Sequence, residues 1–502
     1  MKKYSLLIVM FTAIFLSACD EFLSEPPSKT SSLVPSTTEH LENLLNSYSS
    51  FSSEPNKDVI LGSDDYGLLT DLFDNSNAIY NVTTAHYATW DVNYLPDDDR
   101  PYFPSEWKKI FNANLILENL GKVSGSEEEK ASLKAEAHFI RAYSYFQMVN
   151  TYCLPYSQEN MSELGLPVKA STSFEESGAR VSLKETWDLI LSDLEQALEL
   201  DRDLKLKDGK YRSWRASTPA INAFAARAYL TMNDYTKAQA YAEAALADHN
   251  AMMDYNTDMR YSDIVSEETI DGELKRIWYP YTHDAQSDQT DRMEWKELYY
   301  YRFLTYGSWF YIPSPDLLDL YDHDYDLRYK YHIVEDYSYD RGMSISYPGY
   351  IFFHKDQIPS GPTVGEMLLV KAECQARTGK WNEALTTVNQ LREKRMDNTA
   401  SADVINLAAS SQAEALTKIL EERRRELPFT QRFFDVRRYN NNEDPADDVL
   451  MTRTFYPIGS SAIEGSQAPI TYQLDKKSRK FARPLPNTDI NTTEGVLEQN
   501  TY

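Results

Sequence analysis

The sequence predicts a mainly α-helical protein: a tetratricopeptide-like helical solenoid scaffold with an inserted, irregular and loop-rich region that binds a ligand. Three observations predict this class. Capping motifs precede apolar patterns with helical spacing, two helix-turn-helix units resemble each other, and the segment between those units has little helical period.

The predicted helix starts share one motif, a serine or threonine followed three residues later by glutamate. In this capping box each side chain hydrogen-bonds a backbone amide at the other position. The pairs are Ser126 with Glu129, Ser182 with Glu185, Thr363 with Glu366, and Ser411 with Glu414. Behind the first pair, Phe139, Tyr143 and Phe146 recur at helical spacing, which predicts an amphipathic helix that needs partners.

A helix pair over about residues 218–248 has the length of a tetratricopeptide unit. Thr218 followed by Pro219 predicts an N-cap with proline at the first helical position. A similar unit begins at Thr363, and a shift of 146 residues aligns Ala226 with Ala372, Tyr235 with Trp381 and Ala238 with Ala384. Repeats of this kind predict a solenoid with a continuous core.

The segment from about 249 to 360 is aromatic, rich in Asp, and interrupted by Pro and Gly. It predicts loops and short strands inserted on the solenoid, and the tail from Tyr439 has the same character. Loops held by a rigid scaffold are where binding residues are usually found.

The first residues have the order of a secretory signal. The basic pair Lys2 and Lys3 precedes an apolar run of about ten residues, which is too short to span a bilayer. Small residues then precede Cys19, as in a bacterial lipobox, so we expect a lipid on Cys19 and a flexible tether after it. The predicted divisions are 1–18 signal peptide, 19–38 lipidated cysteine and tether, 39–250 N-terminal helical region, and 251–502 C-terminal region with the loop-rich insertion.

Composition excludes some functions. A formal net charge of -26 argues against nucleic-acid binding, because phosphates need a basic face. Tyr numbers 36, more than a core needs, so we expect some aromatic rings to face solvent or a ligand. Besides Cys19 the chain has only Cys153 and Cys374, which we expect to be unpaired and packed as small apolar groups.

Motifs along the whole chain resemble the SusD/RagB family of outer-membrane nutrient-binding lipoproteins. They include Cys19-Asp20-Glu21-Phe22-Leu23, the helix Ala135-Glu136-Ala137 to Arg141-Ala142-Tyr143, Glu422-Arg423, Glu426-Leu427, Arg432-Phe433-Phe434-Asp435, and Pro484-Leu485-Pro486. Two departures, Thr430-Gln431 and the ending Asn500-Thr501-Tyr502, fall at positions that we interpret as structural. We also expect the charged residues Glu422, Arg423, Glu426 and Arg432 to form ion pairs at helix ends, because charges beside a core persist only when paired.

The resemblance implies a non-catalytic, lipid-anchored protein exposed at the outer membrane, with no cofactor. It would capture a glycan and pass it to a SusC-like TonB-dependent transporter. Peptide binding within the same family is the alternative, and a helical glycoside hydrolase or a pure interaction scaffold is a less favoured one.

Two segments combine aromatic side chains with polar groups suited to sugar hydroxyls, residues 64–94 and residues 278–309. From them we expect Asp65, Trp90, Tyr94, Trp295 and Trp309 to contribute to the ligand site. Core packing is the competing interpretation for each of them, since large aromatic side chains are highly buried on average.

The sequence contains no catalytic motif for zinc proteases, serine hydrolases or phosphate-binding loops. Glycoside hydrolysis uses a pair of carboxylates, but in a chain with 77 acidic residues the presence of such pairs does not indicate catalysis. Asp322, Asp324 and Asp326 are spaced like a calcium loop, but Leu327 stands where the turn needs glycine, so we expect no metal there.

Overall fold

The computed structural model describes residues 35–75, 79–95, 103–173, 175–204, 213–270, 273–280, 295–306, 311–336, 345–353 and 357–502. The predicted signal peptide, Cys19 and nearly all of the tether lie outside these ranges. No helix within them is both long and apolar enough to cross a membrane.

The described chain is mainly helical, as the sequence predicts. The helices up to the insertion are α1 (Thr38–Leu45), α2 (Tyr48–Ser52), α3 (Lys57–Gly62), α4 (Thr70–Asn75), α5 (Val82–Ala88), α6 (Phe103–Asn119), α7 (Glu127–Tyr152), α8 (Leu183–Ala197), α9 (Thr218–Thr231) and α10 (Tyr235–Asp248). The later ones are α11 (Pro315–Leu318), α12 (Leu327–His332), α13 (Val364–Arg377), α14 (Trp381–Arg392), α15 (Ala402–Ile405), α16 (Gln412–Glu426), α17 (Arg432–Tyr439) and α18 (Asn487–Thr492).

All of the predicted capping motifs begin helices. Ser126 and Ser182 make both bonds of the capping box. Thr363 and Ser411 accept the amide bond, but their glutamates bind elsewhere: Glu366 pairs with Arg227 and Glu414 accepts from the Ser410 amide.

The cap of α9 differs from the prediction by one residue. Ser217, not Thr218, accepts the first-turn amide of Ala220. The Thr218 hydroxyl is already engaged, since it donates to the Leu200 carbonyl oxygen and accepts from the Arg202 amide.

The two predicted repeats are present as the antiparallel pairs α9–α10 and α13–α14, and they are joined because α10 packs on α13. On the other side, α6, α7 and α8 pack side by side. Buried alanines let the helices approach closely, and Ala226, Ala238, Ala372 and Ala384 have no exposed surface. Cys153 and Cys374 are both buried and unpaired, as predicted.

The inserted region consists of short strands and loops around one longer hairpin. The strands of the described chain, of which β2 to β7 lie in the insertion, are β1 (Ser53–Glu54), β2 (Tyr261–Ile270), β3 (Glu273–Pro280), β4 (Phe303–Thr305), β5 (Ile333–Val334), β6 (Gly349–Tyr350), β7 (Gln357–Pro359), β8 (Met451–Phe455) and β9 (Ile470–Leu474). β4 pairs in parallel with β1 and antiparallel with β7, while β2–β3, β5–β6 and β8–β9 are antiparallel pairs. Thus β4 attaches the insertion to the beginning of the folded chain.

A second apolar core lies beside the core of the helical repeats and underlies the site described below. It brings together three distant parts of the chain: residues 60–88, the insertion from Leu304 to Ile358, and Phe429 to Tyr456. The early segment therefore packs mainly against residues that are hundreds of positions away.

Buried ion pairs hold these parts together, and the predicted pairing of the late charged motifs is confirmed. Glu422 accepts from Arg328, Arg392 and Arg425. Arg432 donates from Nε and Nη2 to the two carboxylate oxygens of Asp64, at 2.8 Å each. Because the latter pair joins α17 to the segment before α4, it fixes the position of the early segment against the C-terminal helices.

Candidate functional site

The short helix α5 presents the candidate site. Asn81 caps it by accepting from the Thr84 amide at 2.7 Å. Just beyond its end, Trp90 has a φ of 57°, and this left-handed residue turns the chain so that residues 91–94 run back beside the helix. We call the resulting area the Tyr94 surface; it comprises the exposed Asn93, the partly exposed Thr83, Asp91 and Tyr94, and the buried His86 beneath them.

The ring of Tyr94 lies flat on the imidazole of His86. Their centroids are 4.0 Å apart, with 13° between the ring planes. The Tyr94 hydroxyl and the Thr83 hydroxyl are hydrogen-bonded at 2.9 Å. His86 covers one face of this half-buried ring, so a ligand would contact the part of the ring that remains exposed. A flat apolar ring with a fixed orientation suits the apolar face of a sugar.

His86 is itself held from both ring nitrogens. Its Nε2 donates to the carbonyl oxygen of Gly459 at 3.2 Å, and its Nδ1 lies 2.8 Å from a carboxylate oxygen of Asp91. The hydrogen bond with His86 lowers the pKa of Asp91, and outweighs the opposing effect of partial burial. Asp91 accepts from the amide of the exposed Asn93 as well, at 2.9 Å. The polar atoms beneath Tyr94 are therefore fixed in place.

The structure joins the two segments from which the site was predicted. Thr84, the neighbour of Thr83 on α5, is hydrogen-bonded through its hydroxyl to the hydroxyl of Tyr306 at 3.2 Å. Tyr306 follows β4 in the insertion and is half-buried. The first turn of α5 thus contacts one tyrosine from the early segment and one from the middle segment.

Of the residues predicted for the site, Tyr94 is the one that the structure places at the surface within the described ranges. Trp309 lies outside the described residues. Asp65 has no exposed surface, accepts from Arg424 at 2.6 Å and from the Phe429 amide at 2.9 Å, and so anchors the early segment.

The two described tryptophans of the prediction lie in the interior. Trp90 has no exposed surface and donates its indole N–H to the Gly62 carbonyl oxygen at 2.8 Å. Trp295 packs against Phe352 and Phe353 and lines an internal cavity of about 30 Å³. That cavity has room for a water molecule but not for a sugar ring.

Sequence reasoning gave no role to His86, Thr83, Thr84 or Tyr306, although each one holds or extends the Tyr94 surface. His86 precedes Tyr94 by eight positions, with a turn in between, and no spacing rule connects two such residues. The Asn81 cap, which sets the register of α5, is the local signal that was available.

A second aromatic area lies on the helical scaffold. Tyr229 of α9 and Tyr241 of α10 are stacked with centroids 5.4 Å apart and 3° between the planes. With Leu191 and Leu198 they line an open groove of about 460 Å³, which we call the Tyr229–Tyr241 groove. It shares no described residue with the Tyr94 surface.

Two of the aspartates spaced like a calcium loop, Asp322 and Asp326, already accept hydrogen bonds within the protein. Asp322 accepts from the amides of Asp324 and Tyr325, at 3.0 Å each. Asp326 is buried and accepts from both Nε and Nη2 of Arg328. The alternating aspartates are thus explained by a turn that Asp322 stabilises and by the ion pair between Asp326 and Arg328.

Comparison with known proteins identifies the family to which the fold belongs. A family model described as SusD-like, "Starch-binding associating with outer membrane", matches residues 21–230. A second model, described as the SusD family, matches residues 364–502. The two models together cover more than two thirds of the chain.

Individual relatives agree with the family models. SusD-like protein P2 of Formosa agariphila is 23% identical, with 100% of this chain and 99% of that protein covered. The crystal structure of a putative sugar binding protein from Bacteroides vulgatus ATCC 8482 has a TM-score of 0.63 at 18% identity, covering 93% of this chain and 99% of that one. A laminarin binding SusD-like protein has a TM-score of 0.52 at 16% identity, covering 83% of this chain and 96% of that one. With the helical repeats, the inserted region and the family motifs in one order, this chain belongs to the SusD/RagB family.

Proposed function

We propose that this protein captures a glycan at the cell surface and delivers it to a SusC-like TonB-dependent outer-membrane transporter, without chemical change to the glycan. The observation that carries the proposal is the Tyr94 surface. A partly exposed ring supported from one side, with Asp91, Asn93 and Thr83 beside it, combines an apolar platform with groups that hydrogen-bond sugar hydroxyls.

Family membership supports the same function. One matching family model is described as starch-binding, and one protein of the same fold is described as laminarin-binding. Glycan capture is therefore compatible with this scaffold.

The proposed location depends on the beginning of the chain. A lipid on Cys19, followed by the tether, would hold the folded body at the outer membrane. Residues 1–34 lie outside the described ranges, so this part of the proposal rests on the sequence and on the description of the family model as outer-membrane associated.

Affinity electrophoresis tests the binding function. The mature chain from Asp20 onward would be run through native gels that contain starch, laminarin, xylan, galactomannan, alginate or polygalacturonate, and each mixture would be examined for new reducing ends. Retardation by a polysaccharide without new reducing ends is expected. Release of reducing ends would contradict the non-catalytic role, and binding to peptides alone would favour the peptide-binding alternative.

Delivery needs its own test. The transporter expressed with this chain would be purified through a tag on the transporter. We expect the full-length lipoprotein to co-purify with it. A transporter that is purified without this chain, although both are present in the membrane, would contradict the proposed partnership.

A further inference from the structure

Carboxylates surround the Tyr94 surface on the side of α4 and the hairpin β8–β9. Tyr472 of β9 is close enough to Asp91 for that carboxylate to affect its pKa, and the Tyr472 hydroxyl donates to the Tyr456 carbonyl oxygen at 3.0 Å. The Tyr456 hydroxyl in turn donates to both carboxylate oxygens of Asp74, at 2.9 Å. The loop after β8 connects the two carboxylates, because Gly459 accepts from His86 at 3.2 Å and Gly465 packs against Phe73 of α4, one residue before Asp74.

Two more carboxylates lie near this loop. Asp71 lies one turn before Asp74 on α4 and is near enough to Tyr456 to raise the pKa of its hydroxyl together with Asp74, whose hydrogen bond has the larger effect. Glu464 lies in the loop that holds His86, with an oxygen 3.1 Å from the Cβ position of Gly459. Asp71 and Asp74 are exposed, and Glu464 is half-buried.

Few positively charged side chains lie near the carboxylates of Asp71, Asp74, Asp91 and Glu464. Asp91 pairs with His86, and Lys480 attracts Asp91 more weakly. Among the described residues, no lysine or arginine forms an ion pair with Asp71, Asp74 or Glu464. At physiological ionic strength, charges act over about 8 Å, so a polymeric ligand that extends from Tyr94 across these carboxylates would meet each of them in turn. A repeating anionic ligand would meet repulsion along its length.

We infer that the Tyr94 surface selects an uncharged glycan and rejects polysaccharides that carry uronate, carboxymethyl or sulfate groups. This inference rests on the proposed glycan-binding function and adds the charge class of the ligand. Specificity of this kind arises by repulsion of the wrong ligand as much as by attraction of the right one.

The experiment compares derivatives of one backbone. The neutral polysaccharide that retards the mature chain would be converted to carboxymethyl and hydroxyethyl forms of equal degree of substitution. The affinity of the protein for each form would be measured at about 0.05 M and about 0.5 M NaCl, because screening of charges is weak at the lower concentration and strong at the higher one. The hydroxyethyl form controls for bulk without charge. We expect the carboxymethyl form to bind at least about tenfold more weakly than the hydroxyethyl form at low salt, and to recover at high salt.

A charge-removing variant makes the test specific to this surface. The double variant Asp71→Asn, Asp74→Asn should bind the carboxymethyl form at least about threefold more tightly than wild type does. The amide oxygen introduced at position 74 can still accept the hydrogen bond from Tyr456. Asp188→Asn with Glu195→Gln, at the Tyr229–Tyr241 groove, is the matched control and should bind the carboxymethyl form like wild type. Equal binding of both derivatives, or preferred binding of alginate or polygalacturonate, would overturn the inference and leave glycan capture intact. Absence of binding to every polysaccharide would overturn the proposed function and the inference together.

Discussion

The imidazole of His86 lies flat beneath the ring of Tyr94, at 4.0 Å between centroids, and hydrogen bonds to Asp91 and Gly459 fix both of its nitrogens. His86 lies on α5 and Tyr94 lies in the segment after it, and the stacking makes the two rings one rigid unit. The unit joins α5, the segment after it and the loop beyond β8. Its rigidity reduces the conformational entropy that Tyr94 would lose when a ligand binds.

Replacement of His86 tests this positioning role. His86→Ala removes the ring beneath Tyr94, so we expect glycan affinity, measured below the thermal midpoint of the variant, to fall by about three- to tenfold. His86→Phe restores a flat ring without its hydrogen bonds and should recover part of the loss. Titration calorimetry with the glycan that retards the protein measures both effects. Equal affinity for wild type and His86→Ala would show that the stack does not position Tyr94.

Trp90 is expected to contribute to stability rather than to ligand contact. Its side chain is fully buried against Val59 and Phe433 in one core cluster, and its indole N–H is bonded to Gly62. Trp90→Ala should lower the free energy of unfolding by about 3–5 kcal/mol, measured by urea denaturation. Trp90→Phe, which keeps a ring in this core, should bind the glycan within about twofold of wild type, because the indole itself contacts no ligand. A large loss of affinity at full stability would contradict this assignment.

Stability should depend on pH through Glu373. Burial alone would raise the pKa of this carboxyl, but Arg438 and Arg377 outweigh it and hold the pKa well below its usual range. A depressed pKa in the folded state gives stabilisation that is complete above the unfolded value of about 4.5 and is lost as pH falls further. Urea denaturation between about pH 5 and pH 3 should therefore show a steep decline in the free energy of unfolding.

The variant Glu373→Gln separates this effect from general acid denaturation. It should be less stable at about pH 7 by about 3–5 kcal/mol, because Arg438 and Arg377 lose their buried partner. Its decline between about pH 5 and pH 3 should be shallower than that of wild type, by up to about 1.4 kcal/mol per pH unit. Glu199→Gln, at an exposed position, should match wild type at neutral pH. Parallel declines for wild type and Glu373→Gln would refute the assignment.

Membrane attachment is expected to require Cys19. Cells that express the full chain should contain it in the outer-membrane fraction, labelled by radioactive palmitate. Cys19→Ser should remove the label and release the protein from that fraction. Cys153→Ala is the control, because this thiol is buried in the folded body, and it should retain the label. A Cys19→Ser protein that is still labelled would contradict lipidation at this residue.

Local patterns predict the helical scaffold well because its determinants are close in sequence. Ser126 and Ser182 begin helices through bonds that span three residues. The late charged motif is predicted to be paired since its charges stand beside apolar positions, and Glu422 is indeed surrounded by arginines. The distant partners could not be predicted, because Arg328 lies 94 positions away from Glu422.

The candidate site is harder to predict because residue type does not reveal exposure. Trp90, Trp295 and Tyr94 are all large aromatic residues in polar surroundings, yet the first two are buried and the third is partly exposed. The difference arises from tertiary packing: Gly62 and Arg453 cover Trp90, whereas the second face of Tyr94 has no ring on it among the described ring contacts. The sequence names Tyr94 among its candidates, but it cannot distinguish that partly exposed ring from the buried rings of Trp90 and Trp295.

The most direct test of the account is the affinity of Tyr94→Ala for the retained glycan, compared with Tyr241→Ala in the Tyr229–Tyr241 groove. Both variants remove one half-buried tyrosine ring, so they are matched in size and exposure. We predict that Tyr94→Ala weakens binding by at least about tenfold, equivalent to about 1.4 kcal/mol, and that Tyr241→Ala binds like wild type. Wild-type affinity in Tyr94→Ala, with the loss seen in Tyr241→Ala instead, would place the site on the helical scaffold and contradict the account.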